Sequence, residues 1–417
     1  MAQEGKVFYG WWIVAATFVV LFAGLCTAFY TVSVFLEPIQ ATFNWSKTQI
    51  SLGFTIAALL VGFLSPAVGV AVAKYGIKKV QAFGAVLVGA GLLLAGSVQQ
   101  LWQYYTLFII IGAGLASMGL VPAQTVISYW FNRKRGLAMG IIMTGIGLGG
   151  MVMVFVASEA VAAFGWRWAY RILGFIVLGL VLPVILLIIK EKPEDLGLEQ
   201  DGIAASAQDI YQQAAGKCFS VKQAFSSLPF YLICIIMALY SVILGGMTQH
   251  AIALLRSMEV SDANLFWSLT LGASVLGRII FGTLADRLSK KFLIVFIWCF
   301  HVIGLGSLFY LLRENSFVWG FVIFYGIALG SFPTLFPLLL GEKFGIEHFS
   351  KLVGIAGLFQ ILGLAAGSII LGRMFDTSGS YYGAIQVLIV IALVAMVVTS
   401  LIGQPKVVEA EPEPAME

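Results

Sequence analysis

The chain is 417 residues long, 60% hydrophobic and only 11% charged, with a formal net charge of +4. Soluble globular domains carry about a quarter charged residues, so this composition excludes a soluble protein and indicates a polytopic membrane protein. The positive charge resides in loops and does not point to a nucleic-acid partner.

A helix needs about 20 apolar residues to cross ~30 Å of hydrocarbon. Twelve runs qualify, at 11–36, 50–72, 80–98, 102–130, 137–164, 168–189, 230–255, 265–284, 292–312, 317–340, 352–371 and 382–402. The first is far longer than a signal-peptide core and lacks a small-residue cleavage site, so it reads as the first span. Glu159, Arg171 and Arg278 are the only charged side chains inside these runs. Glu159 and Arg171 stand near span ends on the same side, where long side chains reach water or pair with each other. Arg278 stands near the middle of its span, where a guanidinium costs roughly 2.5–3.5 kcal/mol even on insertion scales. An anion that passes by accounts for its presence.

The longest polar interval divides the spans into six and six. The expected organisation is an N-terminal six-helix bundle at 1–189, a cytoplasmic linker at 190–229, a C-terminal six-helix bundle at 230–403, and a disordered acidic tail at 404–417. The linker ends in SVKQAFSSLPFYL, which reads as a short amphipathic approach to span 7. Setting Arg278 aside, 17 basic residues fall on the side of the termini and six on the other, namely Lys47, Arg167, Arg171, Arg256, Arg313 and Arg373. The positive-inside rule then places both termini in the cytoplasm, in a cell's inner (plasma) membrane.

Glycines recur within spans 5, 8 and 11, as at Gly145, Gly149, Gly272, Gly277, Gly363 and Gly367, where they let helix backbones approach. Pro333 and Pro337 lie close together in span 10 and predict a bend there. Cys26, Cys234 and Cys299 lie in spans and Cys218 in the linker; no metal-ligand spacing, disulfide framework or cofactor motif is present. His301 and His348 receive no function.

The loop after span 8, Gly282-Thr283-Leu284-Ala285-Asp286-Arg287, resembles the loop motif of the major facilitator superfamily, and Ala73 replaces the aspartate in the weaker copy after span 2. Asp286 and Arg287 are therefore candidates for a conformational latch. Three further segments resemble monocarboxylate transporters: Tyr9-Gly10-Trp11-Trp12, the stretch from Tyr129 to Gly140, and the stretch from Gly372 to Tyr381. The last is also similar to the related oxalate:formate exchangers. The chain is thus identified, by resemblance, as a bacterial-type monocarboxylate transporter.

That resemblance implies an all-α major facilitator fold, with twelve helices in two six-helix halves around a cavity, acting as a monomer. It implies a lactate- or pyruvate-sized anion held near the midplane by an arginine in span 8, which Arg278 matches. Arg278 also lies eight residues before Asp286, roughly 12 Å inward along a helix. Two departures stand out: Ser274 occupies the position where animal members carry an aspartate, and Tyr30 appears where they use a lysine in span 1. His250 remains as the proton candidate. Tyr30, Thr144, Tyr325, Phe332, Phe336, Phe359 and Gln360 fall in spans that line the cavity in the superfamily, and are candidates for substrate contact beside Arg278 and His250.

The expected activity is secondary active transport of a small monocarboxylate with a proton. Electroneutral anion exchange is the alternative, favoured by the missing carboxylate at Ser274. A non-transporting sensor is a third reading, though the linker and tail offer no signalling domain. No nucleophile, metal cluster or phosphate loop supports an enzyme.

Overall fold

The computed structural model describes residues 8–131, 134–200, 221–285, 287–310, 315–345 and 349–405. Long helices account for nearly all of them, as hydrocarbon requires: it offers backbone N–H and C=O groups no partner, so each segment satisfies its own. Eleven apolar helical stretches among these residues are long enough to span a membrane. They are α1 (Gly10–Phe43), α2 (Lys47–Tyr75), α3 (Ile77–Ala95), α4 (Leu101–Trp130), the stretch Leu137–Ile188, α7 (Leu228–Ser257), α8 (Ala263–Leu284), α9 (Lys290–Tyr310), α10 (Val318–Phe344), α11 (Leu352–Ser378) and α12 (Tyr382–Ser400). Leu137–Ile188 is two helices, because Gly165 turns the chain with φ 77° and ψ 163°, a backbone region open to glycine. Its parts, α5 (137–164) and α6 (166–188), bring the helices to twelve, one for each apolar run.

Several helices run past the apolar run that announced them. Span 1 ends at 36 by composition, yet α1 continues to Phe43; span 11 ends at 371, yet α11 continues to Ser378. Apolarity measures the hydrocarbon to be crossed, whereas the hydrogen-bond ladder continues into the polar interface. Two features inside spans left no compositional trace. α4 is interrupted at Gly119, and wider π-turns occur at Val20–Leu25, Val177–Val181 and Phe321–Tyr325. α10 continues helically through Pro333 and Pro337. Arg171 donates to Ser97 Oγ at 3.2 Å while Glu159 is exposed, so the two do not form the ion pair considered from sequence.

Within the first half α4 packs on α2 and α3; within the second, α7 packs on α11, α8 on α10, and α9 on α10 and α12. The halves meet through α2 against α11, α5 against α8, and the latter part of α1 against α7. This contact is tight at the end away from the chain termini, here termed the far end. Residues 31–36 of α1 and 243–255 of α7 are buried without exception. Toward the other, linker end the contact opens: side chains added at Gly69 of α2, or at Gly354 or Gly357 of α11, would meet nothing within 4 Å.

The start of the linker packs under the first half, with Trp130 Nε1 donating to Lys190 O at 3.1 Å and Gln200 Nε2 to Tyr129 O at 2.8 Å. A short helix, Val221–Phe225, precedes α7 where the amphipathic approach was expected. The remaining expectations for the linker, including Cys218, and those for Asp286, His348 and the acidic tail from 406 onward concern residues outside the described ones.

Candidate functional site

Arg278 lies on α8, and two backbone contacts fix how that helix presents it. On one side α8 lies against α10, where a Cβ on Gly326 would stand 2.6 Å from Thr270 O and one on Gly277 would stand 2.8 Å from Ser331 Oγ. On the other side α8 lies against α5 of the opposite half. The half-buried guanidinium crosses that interface, and its Nη1 donates to the Met143 carbonyl of α5 at 2.5 Å. Among the described residues no carboxylate forms an ion pair with it. Ser274, one turn earlier, is buried and donates its hydroxyl to Leu271 O at 2.6 Å.

Two tyrosines stand within electrostatic reach of Arg278. Tyr30 comes from α1 of the first half and Tyr240 from α7 of the second. Tyr240 was not among the sequence candidates: Tyr30 was marked by its place in span 1, where relatives use a lysine, and no such resemblance marked Tyr240 in span 7. Its hydroxyl donates to Leu329 O at 2.8 Å, and its ring stacks on Phe332 at 4.3 Å. Phe332 also meets Trp298 at 5.4 Å and Phe336 at 6.3 Å, and is wholly buried. It therefore packs behind Tyr240, inside the second half. Tyr325 ends the π-turn of α10, with its ring 5.6 Å from His301 and its buried hydroxyl without a partner among the described residues. Thr144 is half-buried beside Met143 and donates to Ile141 O at 2.7 Å. Phe359 and Gln360 are half-buried on α11, which packs mainly on α7 and α2.

His250 is not brought to Arg278. Ten residues beyond Tyr240 on α7, it stands roughly 15 Å nearer the far end, fully buried where α2, α7 and α11 meet. Its Nε2 lies 2.9 Å from Ser368 O and 3.0 Å from Ser51 Oγ, and its Nδ1 lies 2.9 Å from the Tyr381 hydroxyl. A carbonyl only accepts, so Nε2 carries the proton. Burial pushes the Tyr381 phenol above its ordinary range, so that hydroxyl keeps a proton it can donate to Nδ1. These contacts suit a neutral imidazole.

Around this histidine lies a polar seal that the sequence had read as loop. The Asp376 carboxylate of α11 accepts from Lys47 N at 3.0 Å, Thr48 N at 2.9 Å and Thr48 Oγ1 at 2.5 Å, so it caps the N-terminus of α2 from the opposite half. The Lys47 ammonium lies 3.3 Å from the Phe375 ring centre and 4.7 Å from that of Tyr381. Arg256 pairs with Glu37 at 2.5 Å between α7 and α1. Thr55 and Ser368 hydroxyls meet at 2.7 Å. The stretch from Gly372 to Tyr381, flagged only by resemblance, thus supplies Phe375, Asp376 and Tyr381 to one inter-half contact.

At the linker end Arg287 is exposed in the turn after α8, and Lys290 pairs with Glu342 at 3.5 Å between α9 and α10. An apolar groove of about 520 Å³ between α2, α3 and α4, lined by Val68, Tyr75, Lys79 and Phe83 among others, contains none of the candidate residues. No group of three His, Cys, Asp or Glu side chains suited to a metal occurs among the described residues.

Twelve helices in two halves that meet around an interior guanidinium define a membrane carrier. The Major Facilitator Superfamily profile matches residues 16–346, and the chain belongs to that superfamily. It is a multi-pass secondary transporter, not an enzyme. The chain is 23% identical over 385 residues to an MFS-type transporter of Gibberella moniliformis, covering 91% of this chain and 86% of that one. It is 25% identical over 401 residues to monocarboxylate transporter 12 of Homo sapiens, covering 90% and 77%. In fold it is similar to a bacterial homolog of the human lysosomal transporter Spinster, in its inward-facing, unoccupied conformation. That match has a TM-score of 0.69 at 14% identity and covers 95% of both chains.

Proposed function

We propose that this carrier moves a small monocarboxylate of the lactate and pyruvate class, together with a proton, by alternating access. The observation that carries the reading is Arg278: an interior guanidinium at the α5/α8 interface, held by a backbone carbonyl and, among the described residues, paired with no carboxylate. A carboxylate oxygen is a stronger acceptor than a carbonyl, and the planar fork of a guanidinium matches both oxygens of a monocarboxylate at once. Tyr30, reaching the same region from α1, offers a phenol suited to a small organic anion with a hydroxyl or keto group, while Tyr240 packs behind with its hydroxyl on Leu329 O. The likeness to monocarboxylate transporter 12 across most of the chain supports the substrate class, and the bacterial grouping belongs to the same proposal.

In this reading residues 1–189 and 230–403 are the two moving bundles, joined by the linker 190–229. The termini are cytoplasmic in an inner (plasma) membrane. The far end faces outward and is sealed, while the linker end admits the anion from the cytoplasm. His250 is the proton-coupling group at the seal, and Asp286 with Arg287 form the cytoplasmic latch. Electroneutral exchange of organic anions is the second reading. Ser274 in place of a carboxylate favours it, because an empty Arg278 has no acidic partner to neutralise it when the halves rock.

Uptake of labelled lactate, pyruvate, formate and oxalate into proteoliposomes tests the assignment, with Arg278→Lys as the diagnostic variant. Lysine keeps the charge but loses the fork, so uptake of the preferred anion is expected to fall at least about tenfold, equivalent to ~1.4 kcal/mol. Near-normal uptake by a folded lysine variant would remove Arg278 from the site.

A further inference from the structure

The glycine run at 145–150 of α5 serves two different neighbours. A Cβ on Gly145 would stand 3.1 Å from the Phe18 ring, and one on Gly149 would stand 2.6 Å from Phe22 Cα, so these two accommodate α1 of the same half. Gly147 faces the other half. A Cβ there would lie 2.6 Å from Val275 Cγ2, 2.9 Å from Ser274 Oγ and 3.2 Å from Arg278 Nη1. Gly147 is thus the floor beneath the guanidinium. Met143, one turn earlier, supplies the carbonyl to which Arg278 Nη1 donates at 2.5 Å. In an α-helix the N–H of residue 147 is the ordinary partner of carbonyl 143, so this oxygen serves one donor in its own helix and one from the opposite half.

We infer that Gly147 is a positioning residue for Arg278: it lets α8 lie close enough to α5 for the Met143 carbonyl to orient the guanidinium in the interface, so that its other N–H groups can receive a substrate carboxylate. The inference rests on the reading of Arg278 as the anion anchor. A guanidinium carries five N–H donors and the Met143 carbonyl takes one on Nη1, so the others can meet the two oxygens of a carboxylate. Without the Met143 contact the guanidinium would be less preorganised for the anion, so affinity would fall.

The test uses the full-length protein in proteoliposomes with labelled lactate. Gly147→Ala is expected to raise KM at least about tenfold and to change the maximal rate by less than about threefold, the pattern of lost anchoring. Gly179→Ala on α6, where an added Cβ meets nothing within 4 Å, controls for the extra methyl and is expected to behave as the unsubstituted protein. Adding Val275→Ala removes the nearest atom in the clash, so Gly147→Ala with Val275→Ala is expected to recover most of the lost affinity. Val275→Ile presses the same contact from the α8 side and is expected to raise KM even if Gly147→Ala fails to fold. An unchanged KM in Gly147→Ala or in Val275→Ile overturns the inference, as does a loss in Gly147→Ala that Val275→Ala leaves intact. If Gly147→Ala behaves normally while Arg278→Lys abolishes uptake, the positioning role falls and the anchor stands. Normal uptake by Arg278→Lys removes both.

Discussion

A guanidinium in hydrocarbon is legible because its cost there demands a partner, and Arg278 could be singled out from one sequence. The aromatic residues around it could not be sorted in the same way. Which face of a helix meets the cavity is decided by packing with distant segments, and an apolar run is apolar on every face. Phe332 illustrates the difference: it stacks on Tyr240 and Trp298 with none of its surface exposed. Phe332→Ala is accordingly expected to leave a cavity in the second half and destabilise it by about 3–5 kcal/mol, read as a lower thermal midpoint in detergent, with substrate preference unchanged. Admission of longer 2-hydroxy acids by that variant would instead put Phe332 at the wall of the site. Phe359, half-buried on α11, is the better candidate for a wall residue, and Phe359→Ala is expected to relax discrimination against one extra methylene, a difference worth about 1–3 kcal/mol. Competition of unlabelled 2-hydroxybutyrate against labelled lactate measures it.

At the scale of helices, the number and order of spans followed from the apolar runs, but the far-end seal did not. Lys47, Glu37 and Asp376 all lie outside those runs and were read as loop, whereas the helices α1, α2 and α11 extend to include them. Their role depends on three helix ends from both halves converging, which no local pattern encodes. Asp376 places a negative charge on the N-terminus of α2, where the unpaired N–H groups and the helix dipole favour an anion. Asp376→Asn keeps the shape and removes the charge. Loss of such a charge at a helix start is worth roughly 0.3–1 kcal/mol for an exposed group, so the far end is expected to open about 2- to 5-fold more often. Labelling of an Ile50→Cys reporter, buried beside the seal, by a membrane-impermeant maleimide in a background without native cysteines reads this directly. An unchanged labelling rate would mean that packing alone keeps the end shut.

For the whole molecule, Arg278 meets α5 near the middle and His250 stands at the far-end seal. Under the proposed symport, anion and proton would act at these different places and communicate through the relative position of the halves. A neutral His250 accepts from Tyr381 and donates to Ser368 O, among neighbours that include Lys47 and Asp376 and near the Glu37–Arg256 pair. Protonation at Nδ1 would turn an acceptor into a donor facing the Tyr381 hydroxyl, which must then reverse its bond. If His250 takes the proton, this rearrangement is the step by which a proton arriving at the far end would act on the seal. Arginine stays charged at every accessible pH, which leaves His250, the substrate carboxylate itself or another group not singled out from the sequence to carry the proton. An inward proton gradient is therefore expected to drive lactate above equilibrium in vesicles that contain no internal anion. His250→Gln, which keeps a neutral polar side chain but cannot titrate, is expected to flatten the dependence of uptake on pH while leaving counterflow of preloaded lactate near normal. Uptake that ignores the gradient and demands a preloaded counter-anion would reject symport and establish the exchanger, in which the anion alone neutralises Arg278 on both journeys.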